Sequence, residues 1–200
     1  YLKKNKKTLI ADSLFFHKLG SKEKEDKLIY KEEDNQFNLN ISLSRTRKFL
    51  LLEISKTESN EIRYLNLDSD LFDLKCILKR KNKHLYYVDD TPSHFYILSN
   101  RKNKKNFELY RTKVNNNNEK DWIRFVAHKK EELIEDFLCF KDFVILKVRK
   151  KGLAHLIQID KKSKKKTYLK FNDESYTVNL VNNNNYDLNF FCFNYSSLKS

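Results

Sequence analysis

Residues Phe95 to Lys113 read FYILSNRKNKKNFELYRTK. The first run, Phe95 to Leu98, is made of residues that fit a pleated, half-buried surface. Asn100 to Asn106 is polar throughout. The second run sets Phe107, Leu109 and Arg111 against Glu108 and Tyr110, the period-two alternation of a strand with two different faces. The pattern predicts a hairpin whose loop is longer than the tight two-residue type.

The same phrase occurs three times. FLLLEIS (Phe49 to Ser55) leads through KTESN to EIRYLNLD (Glu61 to Asp68), and FVILKV (Phe143 to Val148) leads through RKKG to LAHLIQID (Leu153 to Asp160). The leading phenylalanines lie 46 and 48 residues apart. An apolar strand precedes each hairpin (Phe37 to Leu43, Leu85 to Val88, Phe137 to Phe140), and another follows it (Leu74 to Leu78, Trp122 to Val126, Thr167 to Phe171). Four short strands repeating at a period in the forties mark propeller blades, which must stack because one blade cannot bury both faces alone. A β-sandwich with look-alike strands is the alternative. The expected fold is all-β: an incomplete β-propeller of four-stranded antiparallel blades, about three full blades plus two half-blades. The half-blades fall at 11–32 and 176–197, the blades at about 36–80, 84–127 and 133–171, so residues 1–200 are part of one propeller domain. The first half-blade is expected from strands at Leu14 to Leu19 and Lys27 to Tyr30, the last from Tyr176 to Val181 and Leu188 to Tyr195. Lys129 to Asp136, the one helix-compatible stretch, is expected to turn into the strand at Phe137.

Composition narrows the class. Of 200 residues, 40% are hydrophobic and 27 are aromatic, ample for a core. No apolar run approaches bilayer length, and no signal peptide is read at the start. The chain has no methionine, which suggests an excised part of a longer polypeptide. Cys76, Cys139 and Cys192 are far apart and form no C-x-x-C pair, so they are expected as buried, reduced thiols in a cytoplasmic protein. The net charge of +14 invites a nucleic-acid partner. The basic runs fall mostly in turns, however, and the abundant lysine and asparagine fit an AT-rich coding bias. The aromatics occupy strand positions instead of interleaving with basic residues, so nucleic-acid binding is disfavoured.

The search for chemistry is negative. The glycines are Gly20 and Gly152, so neither a G-x-S-x-G nucleophile turn nor a phosphate-binding glycine loop can be built. His17, His84, His94, His128 and His155 lack metal spacing; His17 and His155 are expected as hydrogen-bonded structural residues. The acid pairs Glu32/Glu33, Asp89/Asp90 and Glu131/Glu132 adjoin strand ends, where neighbours point to opposite faces. Ser196 and Ser197 have no adjacent base. No catalytic, cofactor-binding or metal-binding residue, and no cofactor, is assigned to this chain.

Residues 17–68, HKLGSKEKEDKLIYKEEDNQFNLNISLSRTRKFLLLEISKTESNEIRYLNLD, carry H-x-L-G, L-I-Y-x-E-x-D-x-x-F and E-I-R-x-L. With FYILSNRKNKKNFELYRTKV, Trp122, KKGLAHLIQID and the late YSS at Tyr195 to Ser197, this series resembles the N-terminal propeller of the oligopeptidase B (protease II) branch of the prolyl oligopeptidase family of serine peptidases. The resemblance covers residues 11–197. It implies a seven-bladed propeller gating an α/β-hydrolase domain with a Ser-Asp-His triad, which admits short peptides and cleaves after Lys or Arg. That domain would follow beyond Ser200, so this segment itself is expected to be non-catalytic. The expected partners are the hydrolase domain of the same polypeptide and short basic peptides, with no membrane. A stand-alone propeller-like binding module, or a remnant without peptidase activity, is the alternative.

Overall fold

A computed structural model describes residues 1–69, 72–116, 118–181 and 183–198. The chain forms two compact units, Tyr1–Leu85 and Tyr86–Ser200. Every sheet is antiparallel and built from strands successive in the chain, the arrangement of an incomplete β-propeller.

In the first unit, β1 (Leu2–Lys4), β2 (Ala11–Phe16) and β3 (Lys27–Lys31) form one sheet. This sheet has one strand more than expected: Leu2 pairs with Leu14 and Lys4 with Ala11. One apolar residue beside two lysines carries no period, so the pairing is dictated by the open edge of β2. The expected strand at Leu14 to Leu19 instead runs from Ala11 to Phe16, and Leu19 is 92% exposed. Next come β4 (Asn38–Leu43), β5 (Phe49–Lys56), β6 (Ser59–Asn66) and β7 (Lys75–Leu78), a full blade. Leu39, Leu52 and Ile54 pack with Ala11, Leu14 and Phe37 between the two sheets.

The second unit holds β8 (Tyr86–Asp90), β9 (His94–Ser99), β10 (Glu108–Lys113) and β11 (Ile123–Val126), then β12 (Leu133–Cys139), β13 (Phe143–Lys150), β14 (Leu153–Asp160) and β15 (Lys166–Tyr168), and a two-stranded sheet of β16 (Tyr176–Leu180) and β17 (Phe193–Ser197). The helix-compatible stretch has no helix. Lys129 to Glu132 is a bridged turn and Leu133 already belongs to β12, because Ile134 is buried in the core that joins the two blades. β17 starts five residues later than expected. The buried Asn183 intervenes: its amide nitrogen donates to the carbonyls of Val181 (2.6 Å) and Cys192 (3.0 Å), and its oxygen accepts from the Cys192 amide (2.6 Å). One side chain thus replaces strand pairing there. Asn182, next to it, lies outside the described residues, as does Asn117 of the other asparagine run.

Both faces of the 143–160 hairpin are covered. In the 143–160 hairpin, Val144, Leu146, Val148, Ile157 and Ile159 pack against Tyr96, Leu98 and Leu109 of the preceding blade. On the other face, Ala154 and Leu156 pack with Val178, and Phe143 and Ile145 with Phe191 and Leu180. The three leading phenylalanines are therefore not equivalent. Phe143 faces away from the preceding sheet, whereas in its own blade Tyr96, next to Phe95, is the residue that packs forward onto β13. A one-residue slip moves a side chain to the opposite face, so a shared phrase does not guarantee a shared register.

The β13–β14 connection is a two-residue turn between the paired Lys150 and Leu153, with Lys151 (φ 48°) and Gly152 (φ 84°) both left-handed. That double positive φ matches the twist of the flanking strands. The 100–107 loop is longer, as the polar run Asn100 to Asn106 predicts, but it also takes in Phe107 (φ 62°), the residue expected to open the second strand.

Leu98→Ala and Leu146→Ala share one core, so each should cost about 2–5 kcal/mol, and the double mutant should cost less than the sum by about 0.5 kcal/mol or more. Leu146→Ala with Leu156→Ala, on opposite faces of one sheet, should be closer to additive; urea titration measures both pairs.

Candidate functional site

The residues with the most chemistry lie at the ends of hairpins, where a buried sheet must satisfy polar groups that its neighbours cannot. At the start of β6, Glu61 is buried and its carboxylate accepts from the Arg63 Nε (2.6 Å) and from the backbone amide of Arg80 (3.1 Å), two residues past β7. At the start of β10, Glu108 is only 4% exposed; it accepts from the Tyr110 hydroxyl and from the backbone amide of His128 (3.1 Å), two residues past β11. In both blades an acid on the third strand ties down the chain leaving the fourth, and a partner two residues on shares its face. The following blade has His155 opposite Val148 instead.

In the first unit the Arg80 guanidinium forks onto Glu32 (2.8 and 3.0 Å), which also accepts from the Tyr30 hydroxyl (2.9 Å) and the Asp34 amide (2.9 Å). Arg80 lies over the Phe37 ring at 4.1 Å and Arg63 over Tyr30 at 4.9 Å. This joins β3 to the blade beside it. Burial opposes ionisation of Glu32, but Arg80, the Asp34 amide and Tyr30 outweigh it and hold the carboxyl below its ordinary value. Glu108 is likewise held low against burial by Tyr110, the His128 amide, Lys104 and Arg124. Burial, then the hydrogen bond to each glutamate, pushes Tyr30 and Tyr110 up to about 12.

In the second unit, Asp89 of β8 is buried; its carboxylate accepts from the Cys139 amide of β12 (2.7 Å) and from its neighbour Asp90's amide (2.9 Å). The Asp89/Asp90 pair is thus a link between the first strands of two blades. Lys161 donates to the Phe140 carbonyl, with its ammonium 5.2 Å from the Tyr96 ring and 5.3 Å from the Tyr186 ring. Burial lowers its pKa.

The other residues weighed in the sequence are dispersed. Glu32 is buried while Glu33 is exposed, and Glu131 is exposed while Glu132 binds Lys129 (2.7 Å) and Lys150 (3.3 Å). His17 lies just past β2, its ring nitrogen 2.6 Å from Asp26, and Asp26 also accepts from the Tyr1 hydroxyl (2.7 Å). His155 stands 3.5 Å from the Tyr176 hydroxyl. Ser93 and His94 touch at 2.8 Å in the β8–β9 turn, where burial and then Arg111, Lys113 and Lys161 lower the His94 pKa. Among the described residues no carboxylate orients the His94 ring, so the pair lacks the third member of a hydrolytic triad. Ser196 and Ser197 lie on β17, paired with Thr177 and Tyr176. Of the cysteines, Cys139 is buried and Cys76 half-buried, its thiol pushed by burial to about 11. Cys192 is exposed, contrary to expectation, because it precedes β17 in the loop shaped by Asn183. Among the described residues no three His, Cys, Asp or Glu gather as metal ligands, and no helix is long and apolar enough to cross a membrane.

Sequence reasoning missed Glu61, Glu108, Asp89 and Lys161 as interior groups. The available signal was an acid beginning a third strand, E-I-R in one blade and E-L-Y in the next.

The family described as the prolyl oligopeptidase N-terminal beta-propeller domain matches residues 1–200. Protease 2 of Moraxella lacunata is 29% identical over 185 residues, 92% of this chain and 26% of that protein. Dipeptidyl aminopeptidase BI of Pseudoxanthomonas mexicana is 27% identical over 198 residues, 99% of this chain and 27% of its own. Oligopeptidase B from Trypanosoma brucei, solved in a closed form with covalently bound antipain, superposes with a TM-score of 0.91 at 21% identity, over 100% of this chain and 29% of that one. Oligopeptidase B from Leishmania major gives 0.91 at 21% identity, over 99% and 29%. The chain spans about a quarter of the length of these curated relatives.

Stability should decline slightly as pH falls below about 6.5, the ordinary histidine value, because the His94 pKa is lowered in the fold, and more steeply below about pH 4.5, near the ordinary glutamate value. The folded carboxyls of Glu32, Glu108, Glu132 and Glu135 are held low, so their contribution is complete above the unfolded value and is lost as pH falls through the folded ones. Glu108→Gln should cost about 1–3 kcal/mol at pH 7 and flatten the acid limb; denaturant midpoints from pH 3 to 7 measure both.

Proposed function

The chain belongs to the prolyl oligopeptidase N-terminal β-propeller family, and from that premise we propose that it forms part of the gating propeller of a serine oligopeptidase. In this reading the catalytic α/β-hydrolase domain belongs to the same polypeptide and carries the whole triad. The propeller segment is non-catalytic. It walls an internal cavity and filters substrates by size, and the parent enzyme cleaves short peptides after Lys or Arg in the cytoplasm.

The observation that carries this reading is the match of the family over the whole chain, joined to backbone agreement of all of this chain with 29% of oligopeptidase B. The geometry supports a wall more than a reaction centre. The polar groups with perturbed ionisation hold strands together: Glu108 meets Tyr110 and a backbone amide, and Glu32 meets Arg80. A rigid wall is what a size filter needs, since selection by size fails if the frame gives way.

The full-length polypeptide should hydrolyse reporter peptides ending in Arg or Lys, lose that activity to a serine-directed reagent, and leave a folded protein of comparable sequence uncut. The isolated chain should be inert. Serine-reagent-sensitive turnover by the isolated chain would overturn the assignment, as would full-length protein that cleaves folded and short substrates equally well.

A further inference from the structure

In the second unit, one end of the sheets gathers the β9–β10 turn, the link from β11 to β12, and the β13–β14 turn. The side chain of Asn106 donates to the carbonyls of Lys129 (3.0 Å) and Lys130 (2.7 Å), which fastens the first turn to the link. Glu132 accepts from Lys129 and Lys150, which fastens the link to the second turn. Residues 102–105, 129–132 and 149–151 therefore form one continuous rim, with eight basic residues and two acidic ones.

This rim carries more net positive charge than the like segments of the first unit. In the first unit the like segments 32–36, 56–59 and 79–83 carry five basic and four acidic residues, nearly balanced. Of the acids on and beside the second unit's rim, Glu131 is exposed, but Glu132 binds Lys129 and Lys150, Glu108 is buried on Tyr110 and the His128 amide, and Glu135 binds Arg149 and Lys147. Lys102, Lys105, Lys130 and Lys151 are exposed and make no ion pair among the described residues. Lys102 (φ 54°) and Lys151 (φ 48°) occupy left-handed positions, which glycine or asparagine would fill with less strain.

We propose that this rim binds an acidic polypeptide segment, its lysines engaging successive carboxylates. None of the three segments contains an aromatic residue; the rings beside them are Tyr87, 43% exposed and packed on Phe107, and Tyr168, so base stacking would have to reach past the lysines, and competition from an oligonucleotide decides it. Carboxylates at peptide spacing match a row of flexible, exposed ammonium groups, and such complementarity acts through on-rate and falls with salt. The proposal goes beyond the peptidase assignment and does not depend on it, because binding is read without turnover.

The test is fluorescence anisotropy of a labelled all-glutamate peptide of about eight residues with the purified chain, or with the full-length polypeptide if the chain alone lacks a strand-rich circular dichroism spectrum. Affinity should fall at least tenfold between about 50 and about 300 mM salt, and the equivalent glutamine peptide should not bind. The triple variant Lys102→Glu, Lys105→Glu, Lys151→Glu should lose at least tenfold in affinity. Lys120→Glu, Lys162→Glu, Lys165→Glu changes net charge equally but lies in turns at the other end of the sheets, and should lose less than threefold. Equal loss in both triples would reduce the effect to net charge and overturn the proposal. So would absence of glutamate-peptide binding, or tighter binding of a single-stranded oligonucleotide of equal charge.

Discussion

The burial of both faces of the 143–160 hairpin is the constraint on which much of the second unit depends. A strand pair with one wet face can leave polar side chains in water, but one covered twice cannot. Val144 and Leu146 press on the preceding blade while Phe143 and Ile145 meet the following strands. Polar groups that enter such a layer must bring their own partners. That is why Glu108 arrives with a tyrosine two residues on, and why Glu32 is met by a forked arginine. The acids are part of the packing, although they read in the chain as surface charge.

Much of the fold was legible because apolar runs of the right length recur between polar turns. Each central strand falls within a residue or two of its apolar run. What escaped had no period of its own. β1 is a single leucine beside two lysines, and only the edge of β2 makes a strand of it. Lys129 to Asp136 forms the expected turn, but the strand after it starts at Leu133 and not Phe137, because Ile134 must reach the inter-blade core and tertiary contact overrides local propensity. The late start of β17 follows from one asparagine whose amide does the work of a strand partner.

The interior chemistry was less legible for the same physical reason. Adjacent acids on a strand do point apart, and that rule correctly argued against paired acid–base catalysis. It did not say which acids would be buried: Glu32 is buried and Glu33 exposed, whereas Asp89 and Asp90 are both buried. Asp89 is drawn in by an amide from β12, fifty residues away, and no local pattern reports such a partner. The equivalence of Glu61 and Glu108 was obscured because the leading phenylalanines invite an alignment one residue out of step with the faces.

Strand order in every sheet follows chain order, without a crossover. Each hydrogen-bonded pair therefore joins neighbours in sequence, and each blade closes its own hydrogen bonds within a few dozen residues of chain. Loop closure over such short spans costs little entropy and is fast. Synthesis delivers residues in that same order, so a blade emerging from the ribosome can complete its sheet while the next is still unmade. The newly finished outer face is then available as a surface on which the following hairpin can condense, so this topology permits assembly in chain order.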